Sequence, residues 1–359
     1  MSESRTGKIT EIRLHNFTCF REVDMAFSPG INVFIGENGT GKTHLLKVLF
    51  SFLRGLSFPH IERNDTGLTL NTTAYRLEKH IKAIFKVEEL SELVSKGESD
   101  AQVHVLLQEK GTSLQITKGE EPNVSSELAM GKEAPTVYIP PSEMLSWYEG
   151  FVAAYENRES SIDETFYLLA KSLSLLPLKG EKRQEAQQLV KELSQLTDVK
   201  NVSLERGHFV IGLSDGQSYQ APMVAQGLNK IAQVIFLVLN GSIRRDTLLF
   251  WDEPETNLNP KYITLLANFI QALARSGVQL FVSTHDYLLA HQLSLYAEYS
   301  STGNGTPCFR FFSLYKGGDG GTTQVDAGAT LSELEHNPIL EEYASLQDRE
   351  LDLFQKSLK

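Results

Sequence analysis

A lysine and a threonine stand side by side at Lys42 and Thr43, behind three glycines, Gly36, Gly39 and Gly41, that fall within six residues. An amine and a hydroxyl behind so mobile a backbone suit a phosphate. Glycines let the chain wrap closely around an anion, so that several N–H groups point inward. A helix starting near Lys42 offers its unsatisfied amides and positive dipole end to the same charge. Lys42 then reaches the outer phosphates, and the Thr43 hydroxyl is placed for Mg²⁺. The spacing is that of the P-loop, G-x-x-x-x-G-K-[ST], with an apolar strand before it and an amphipathic helix after it. The candidate nucleotide contacts are Gly36, Glu37, Asn38, Gly39, Thr40, Gly41, Lys42, Thr43 and His44. A Gly-rich turn without a ligand is the plainer alternative, and it leaves the lysine, the threonine and the strand–helix context unexplained.

A second group of reactive side chains lies far downstream. In "TLLFWDEPETNLNP" a buried apolar strand ends in adjacent carboxylates, Asp252 and Glu253. At the C-terminal end of a strand they face the crevice where α/β sheets bind ligands. Asp252 suits Mg²⁺ coordination, and Glu253 suits positioning or deprotonating an attacking water. A further apolar strand, "VQLFVSTHD", ends at His285. A lone histidine is more often structural. Its place at a third strand end, beside the other two, lets the imidazole donate a hydrogen bond to a γ-phosphate.

These side chains need a scaffold that brings three strand ends together. Alternating apolar residues predict strands in "TEIRL", "VDMAF" and "INVFI", the last two separated by the turn Ser28-Pro29-Gly30. The P-loop helix should run to about Leu56. "AYRLEKHIKAIFKV" reads as a helix with Leu77, Ile81, Ile84 and Phe85 on one face and Arg76, Lys79, Lys82 and Lys86 on another. The basic stripe is a candidate for neutralising DNA phosphates, although such stripes are more often solvated faces. "AQVHVLLQ" and "TSLQITKG" read as a hairpin, and "TVYIPPSEM" as a strand ended by Pro140-Pro141. The pattern from Ser160 to Leu196 is helical, broken at Pro177 and Gly180. A short strand "GHFVIGLSDG" and an apolar helix "VAQGLNKIAQVIFLVLNG" follow. The order predicts one α/β core with a largely helical insertion.

The bulk numbers set limits. The 359 residues are 41% hydrophobic, ample for one large domain or two ordinary ones. No run approaches the roughly 18 apolar residues of a membrane span, and MSESRTGK does not read as a signal peptide. Cys19 and Cys308 are too few for a disulfide framework or zinc cluster. We expect a soluble cytoplasmic protein with no membrane partner. A net charge of −11 argues against a surface uniformly suited to nucleic acid, and leaves room for a local basic groove.

Together the P-loop, the late Asp-Glu pair, "ETNLNP" and "STHD" resemble an ABC-type ATPase head. The opening "ITEIRLHNFTCFREVDMAFSPGINVFIGENGTGKT" is similar to the SMC, RecF and OLD-like branch rather than to transporters. The resemblance implies an ABC-type P-loop NTPase head with ATP and Mg²⁺, organised as an N-terminal lobe (1–150), a mainly helical insertion (151–222) and a C-terminal part (223–359). It implies a homodimer in which two heads sandwich ATP. The matching signature segment is "MVAQGLNKIAQ", where Gly227 would contact the other subunit's γ-phosphate. Ala225 stands where a serine is usual, so either the sandwich is weaker or Asn229 compensates. No glutamine stands at the Q-loop place, which falls to Ser142 or Glu143. The tail after His285 reads as two short strands around "FRFFSLYK" and "TTQVD", then a helix from about Pro338, without the carboxylates of a Toprim nuclease. The resemblance therefore implies an ATPase that works with DNA, or with a separate nuclease or effector, in genome maintenance or anti-phage defence. The runner-up is the ATPase subunit of a membrane transporter. A P-loop kinase or GTPase leaves the Asp-Glu pair and the strand-end histidine without a role.

Overall fold

A computed structural model describes residues 7–56, 73–127, 135–299, 308–318 and 321–357. The first six residues of the polar N-terminus lie outside the described residues. Strands β1 (Ile9–Phe17), β2 (Phe20–Ala26) and β3 (Ile31–Gly36) lead into α1 (Lys42–Leu56) and α2 (Thr73–Phe85). Then come β4 (Asp100–Leu107), β5 (Lys110–Thr117), β6 (Asn123–Ser126) and β7 (Thr136–Ile139). Helices α3 (Phe151–Glu156), α4 (Glu164–Leu173) and α5 (Gly180–Leu196) precede β8 (Val199–Glu205), β9 (His208–Leu213) and β10 (Ser218–Gln220). The C-terminal part holds α6 (Gln226–Leu239), β11 (Leu248–Asp252), α7 (Pro260–Arg275), β12 (Gln279–Ser283) and α8 (Tyr287–Tyr299). It continues with β13 (Phe309–Lys316), β14 (Thr323–Gly328) and α9 (Pro338–Ser357).

Eleven strands form one mixed sheet in the order β6-β5-β4-β1-β2-β14-β13-β3-β12-β11-β7. Its centre is parallel, with β13, β3, β12, β11 and β7 running the same way. Strands β3, β11 and β12 are buried at every position, as strands covered on both faces must be. The wing β6-β5-β4-β1-β2 is antiparallel. There β1 alternates buried and exposed positions, consistent with one solvated face.

Each sheet face carries its own core. Helices α4 to α8 cover one face around Trp251, Ile139, Val282 and Phe236. Helix α1 covers the other, where Phe34 stacks on Phe312 at 5.1 Å and Phe250 on Phe281 at 4.9 Å. The tail strands are no appendage, because β13 lies directly against the P-loop strand, pairing Ser313 with Ile35. The segment between α5 and α6 forms a three-stranded antiparallel sheet, β10-β9-β8. Only its middle strand was expected from the sequence.

The basic stripe expected on α2 forms only in part: Arg76, Lys79 and Lys82 lie on the helix and Lys86 does not. Lys86 follows the end of the helix with φ +60°, Lys82 pairs with Glu78 at 2.9 Å, and Arg76 is half-buried. The helix stops one residue too soon for the fourth cation to join the row.

Candidate functional site

Parallel pairing sets the site. Asp252 is in register with Ser283 of β12, and Ser283 with Phe34 of β3, so the chain ends of β3, β11 and β12 open on one edge. The P-loop, the Asp252–Glu253 pair and His285 meet there from positions about 30 to 240 residues apart.

At the P-loop the Lys42 amine is buried and donates to the carbonyls of Gly36, at 2.7 Å, and Glu37, at 2.8 Å. Burial holds its pKa below the ordinary lysine value, against the raising influence of Glu253, Asp252 and Glu255. Thr40 closes the loop by donating its hydroxyl to the Glu37 carbonyl at 2.8 Å. Glu37, Asn38 and Gly39 are exposed along the loop rim. Gly41 has φ +96°, and a Cβ there would overlap Cys19 Sγ and the Phe20 ring, so only glycine fits between the loop and the β1–β2 turn. His44 is exposed on the first turn of α1, its ring 5.6 Å from Phe85 and tilted against it.

The Thr43 hydroxyl donates to Asp252 Oδ2 at 2.9 Å. The same oxygen accepts from the Tyr138 hydroxyl at 3.1 Å, and Oδ1 accepts from Ser283. Burial pushes the Asp252 pKa up, while the hydrogen bonds from Ser283, Thr43 and Tyr138 pull it down. Burial also raises Tyr138 well above its ordinary range, with Asp252 adding to it. A hydroxyl and a carboxylate oxygen in contact are the hard donors that Mg²⁺ takes from a protein, with phosphate oxygens and water completing its shell. That donor set fits Mg²⁺. Among the described residues no cluster of three or more His, Cys, Asp or Glu could hold a metal.

Glu253 adopts φ +45°, a left-handed conformation that costs a non-glycine residue of order 1–3 kcal/mol. Both of its backbone groups are held. Its N–H donates to Ser283 O at 3.1 Å, and its carbonyl accepts from the Lys230 amine at 2.7 Å. The carboxylate then lies 3.2 Å from His285 Nδ1. His285 is half exposed, so its ring faces the open edge.

Four participants escaped the sequence reading. Tyr138 and Ser283 hold Asp252. Buried Glu255 accepts from the Thr284 hydroxyl at 2.6 Å, lies 4.0 Å from His285 Nδ1, and is pushed up in pKa by burial. Lys230, buried in α6, also reaches the Thr256 carbonyl at 3.3 Å, and burial lowers its pKa to about 8. A lysine inside the apolar run "NKIAQVIFLVL" was the available signal.

The signature segment is mixed. Ala225 caps α6 without a side-chain hydrogen bond. Gly227 packs so closely on the loop after Glu253 that a Cβ would come 2.5 Å from the Asn257 carbonyl oxygen. Asn229 does not take the missing serine's place. Its side chain is fully buried and donates inward to Ser146, Ala221 and Val224. Of the two Q-loop candidates, Ser142 is exposed, and Glu143 is buried with Ser146 as its partner.

The sequence matches the family model described as an AAA domain over residues 11–207. Over 60 residues it is 47% identical to the DNA replication and repair protein RecF of Streptococcus uberis, 17% of this chain and 16% of that one. Over 121 residues it is 29% identical to RecF of Lacticaseibacillus casei, 34% of this chain and 29% of that one. The match spans less than a third of these relatives' length. Among solved structures, a SmcHead bound to the C-winged helix domain of ScpA aligns with TM-score 0.54 at 13% identity, over 90% of this chain and 98% of that one. An Smc head domain with an extended coiled coil, bound to the C-terminal domain of ScpA from Pyrococcus furiosus, gives 0.52 at 12% identity, over 96% and 99%. At such identities the likeness is one of fold, that of an ABC-type P-loop ATPase head.

Proposed function

We propose, because the chain belongs to the AAA domain family, that it binds ATP with Mg²⁺ at the edge of β3, β11 and β12 and hydrolyses it to ADP and phosphate. The observation that carries this reading is the meeting of Thr43 with Asp252 and of Glu253 with His285 beside the buried Lys42 amine.

In this reading the P-loop N–H groups and Lys42 hold the outer phosphates, Lys42 leaving the Gly36 and Glu37 carbonyls to do so. Thr43 and Asp252 hold Mg²⁺, which supplies charge neutralisation on the phosphate oxygens when bound. Glu253 orients a water and accepts its proton as the water oxygen attacks the γ-phosphorus and the bond to the β–γ bridging oxygen breaks. His285 donates to the γ-phosphate from the open edge and steadies the Glu253 carboxylate.

The same edge serves as the face on which a second copy closes, with Gly227 at the N-terminal end of α6 approaching the ATP of its partner. Action on DNA, alone or with a separate nuclease or effector, in genome maintenance or anti-phage defence is the setting we infer. The names of the RecF relatives support the DNA part.

The test is Glu253→Gln, which leaves the phosphate cradle intact and stalls hydrolysis. Because ATP would bridge both copies, its binding free energy adds to association, so light scattering should show assembly with ATP beyond that seen with ADP. Normal hydrolysis by the variant removes Glu253 from catalysis. Stalled hydrolysis with no ATP-dependent assembly removes the sandwich and leaves the nucleotide site.

A further inference from the structure

Helix α9 has no buried residue along its 20 positions. Only its start is anchored. Asn337 accepts from Leu340 N at 3.1 Å and Glu341 from Asn337 N at 3.3 Å, Ile339 touches the main core, and the Tyr343 ring packs 4.5 Å from Tyr287. Beyond that the helix runs out from the head. Six large apolar side chains, Leu340, Tyr343, Leu346, Leu351, Leu353 and Phe354, stay 47% to 68% exposed. At about 100° per residue they fall within one half of the helix surface. Helical stability in water comes mainly from packing such a face, so this face calls for a partner.

Two observations say what the partner is. The six side chains leave roughly 600 Å² open per copy if a large side chain is taken as a little under 200 Å², approaching the ~800 Å² per partner of a standard stable interface. The second is a row of charges along one flank of the stripe. Glu342, Arg349 and Lys356 recur every seven residues, and Glu342 pairs with Arg349 within the chain. The row runs from negative to positive. An antiparallel copy brings the same row alongside itself, with Glu342 opposite Lys356 at both ends and Arg349 opposite Arg349 at the midpoint, so two opposite-charge pairs offset one like-charge pair. A parallel copy places the two rows on opposite sides of the contact, where they do not pair. Glu341, Asp348 and Asp352 lie on the opposite, solvent side, and Glu350, inside the stripe, lies one residue from the level of the second copy's Arg349 at the midpoint.

We propose that α9 is a self-association helix, pairing antiparallel with α9 of a second copy of this chain. The contact is made by α9 alone and does not require ATP.

The experiment is sedimentation of the full chain without nucleotide. The unaltered protein should be a dimer, and Leu346→Glu combined with Leu353→Glu should weaken association at least 100-fold. Circular dichroism and calorimetric ATP binding check that the head remains folded. Glu342→Lys alone should weaken the dimer several-fold, and adding Lys356→Glu should restore it. Glu253→Gln should leave this dimer unchanged, which separates it from the ATP-dependent assembly. A monomeric unaltered protein, or a dimer indifferent to the two leucine changes, overturns the proposal and assigns the stripe to another partner or the dimer to another face. Loss of the dimer without rescue by the charge swap overturns the antiparallel arrangement.

Discussion

Lys230→Met separates stability from turnover at the site. The Lys230 amine donates to the Glu253 carbonyl alongside the Thr256 hydroxyl, at 2.9 Å, and the Thr256 N–H, at 3.2 Å, and it reaches the Thr256 carbonyl as well. A pKa of about 8 against 10.5 for free lysine means the surroundings disfavour its charged form by about 3 kcal/mol. A hydrogen bond from a charged donor contributes about 1.5–3 kcal/mol. Methionine removes both effects and fills similar space, so the folded state should change by less than about 2 kcal/mol in either direction. Glu253, however, loses the charged donor to its carbonyl and keeps the neutral ones from Thr256, so a left-handed backbone that costs about 1–3 kcal/mol is held less firmly. Turnover should fall at least tenfold, about 1.4 kcal/mol in barrier, with ATP affinity unchanged. The assay is steady-state phosphate release beside calorimetric ATP binding and a thermal melt. Unaltered turnover in a folded variant refutes the reasoning, and so does loss of ATP binding, which would place Lys230 in the nucleotide cradle. The same residue sets a pH dependence. Its folded pKa lies below the unfolded one, so the unfolded chain binds more protons between about pH 8 and 10.5 and stability rises with pH through that window. Tyr138, Tyr155 and Tyr167 have raised pKa values, so their stabilisation is complete below pH 10 and is lost above it. The net rise should therefore lie below about pH 10, and Lys230→Met should reduce it, leaving the part contributed by Lys42 and Lys8, whose pKa values burial also lowers.

Lys42→Ala should abolish ATP binding in calorimetry, because the lysine is the cation placed over the outer phosphates. His285→Ala should keep ATP affinity and slow turnover at least tenfold, and normal turnover would return His285 to a structural role. Asp252→Asn should raise the melting temperature of the nucleotide-free protein, since burial disfavours the ionised carboxyl, while removing the additional stabilisation that Mg²⁺ gives in the presence of ATP. A lower melting temperature would show that the hydrogen bonds from Thr43, Tyr138 and Ser283 outweigh burial.

What could be read from the chain alone was whatever is local in sequence. A phosphate cradle needs consecutive backbone amides, so Gly36 to His44 announce themselves as one string. An apolar strand that ends in Asp252 and Glu253, or in His285, likewise carries its meaning within about ten residues. Where neighbours decide, the pattern misled or stayed silent. The stripe on α2 is periodic in sequence, yet Lys86 leaves the helix and Lys82 turns to Glu78. Asn229 sits where a polar contact to phosphate was conceivable, yet its amide satisfies the carbonyls of Ala221 and Val224.

The sequence by itself determined the chemistry on offer: a lysine and a hydroxyl at a glycine-rich loop, paired carboxylates and an imidazole, each at the end of an apolar strand. Tertiary structure alone decided how those ends meet. Parallel register of β3, β12 and β11 sets Thr43 against Asp252, and Glu253 against His285, across separations of 209 and 32 residues. It also recruited Tyr138, Ser283, Glu255 and Lys230, whose side chains look ordinary along the chain. Their part in the site comes from burial, which forces each polar group to find a partner and makes the partner found there a fixed one.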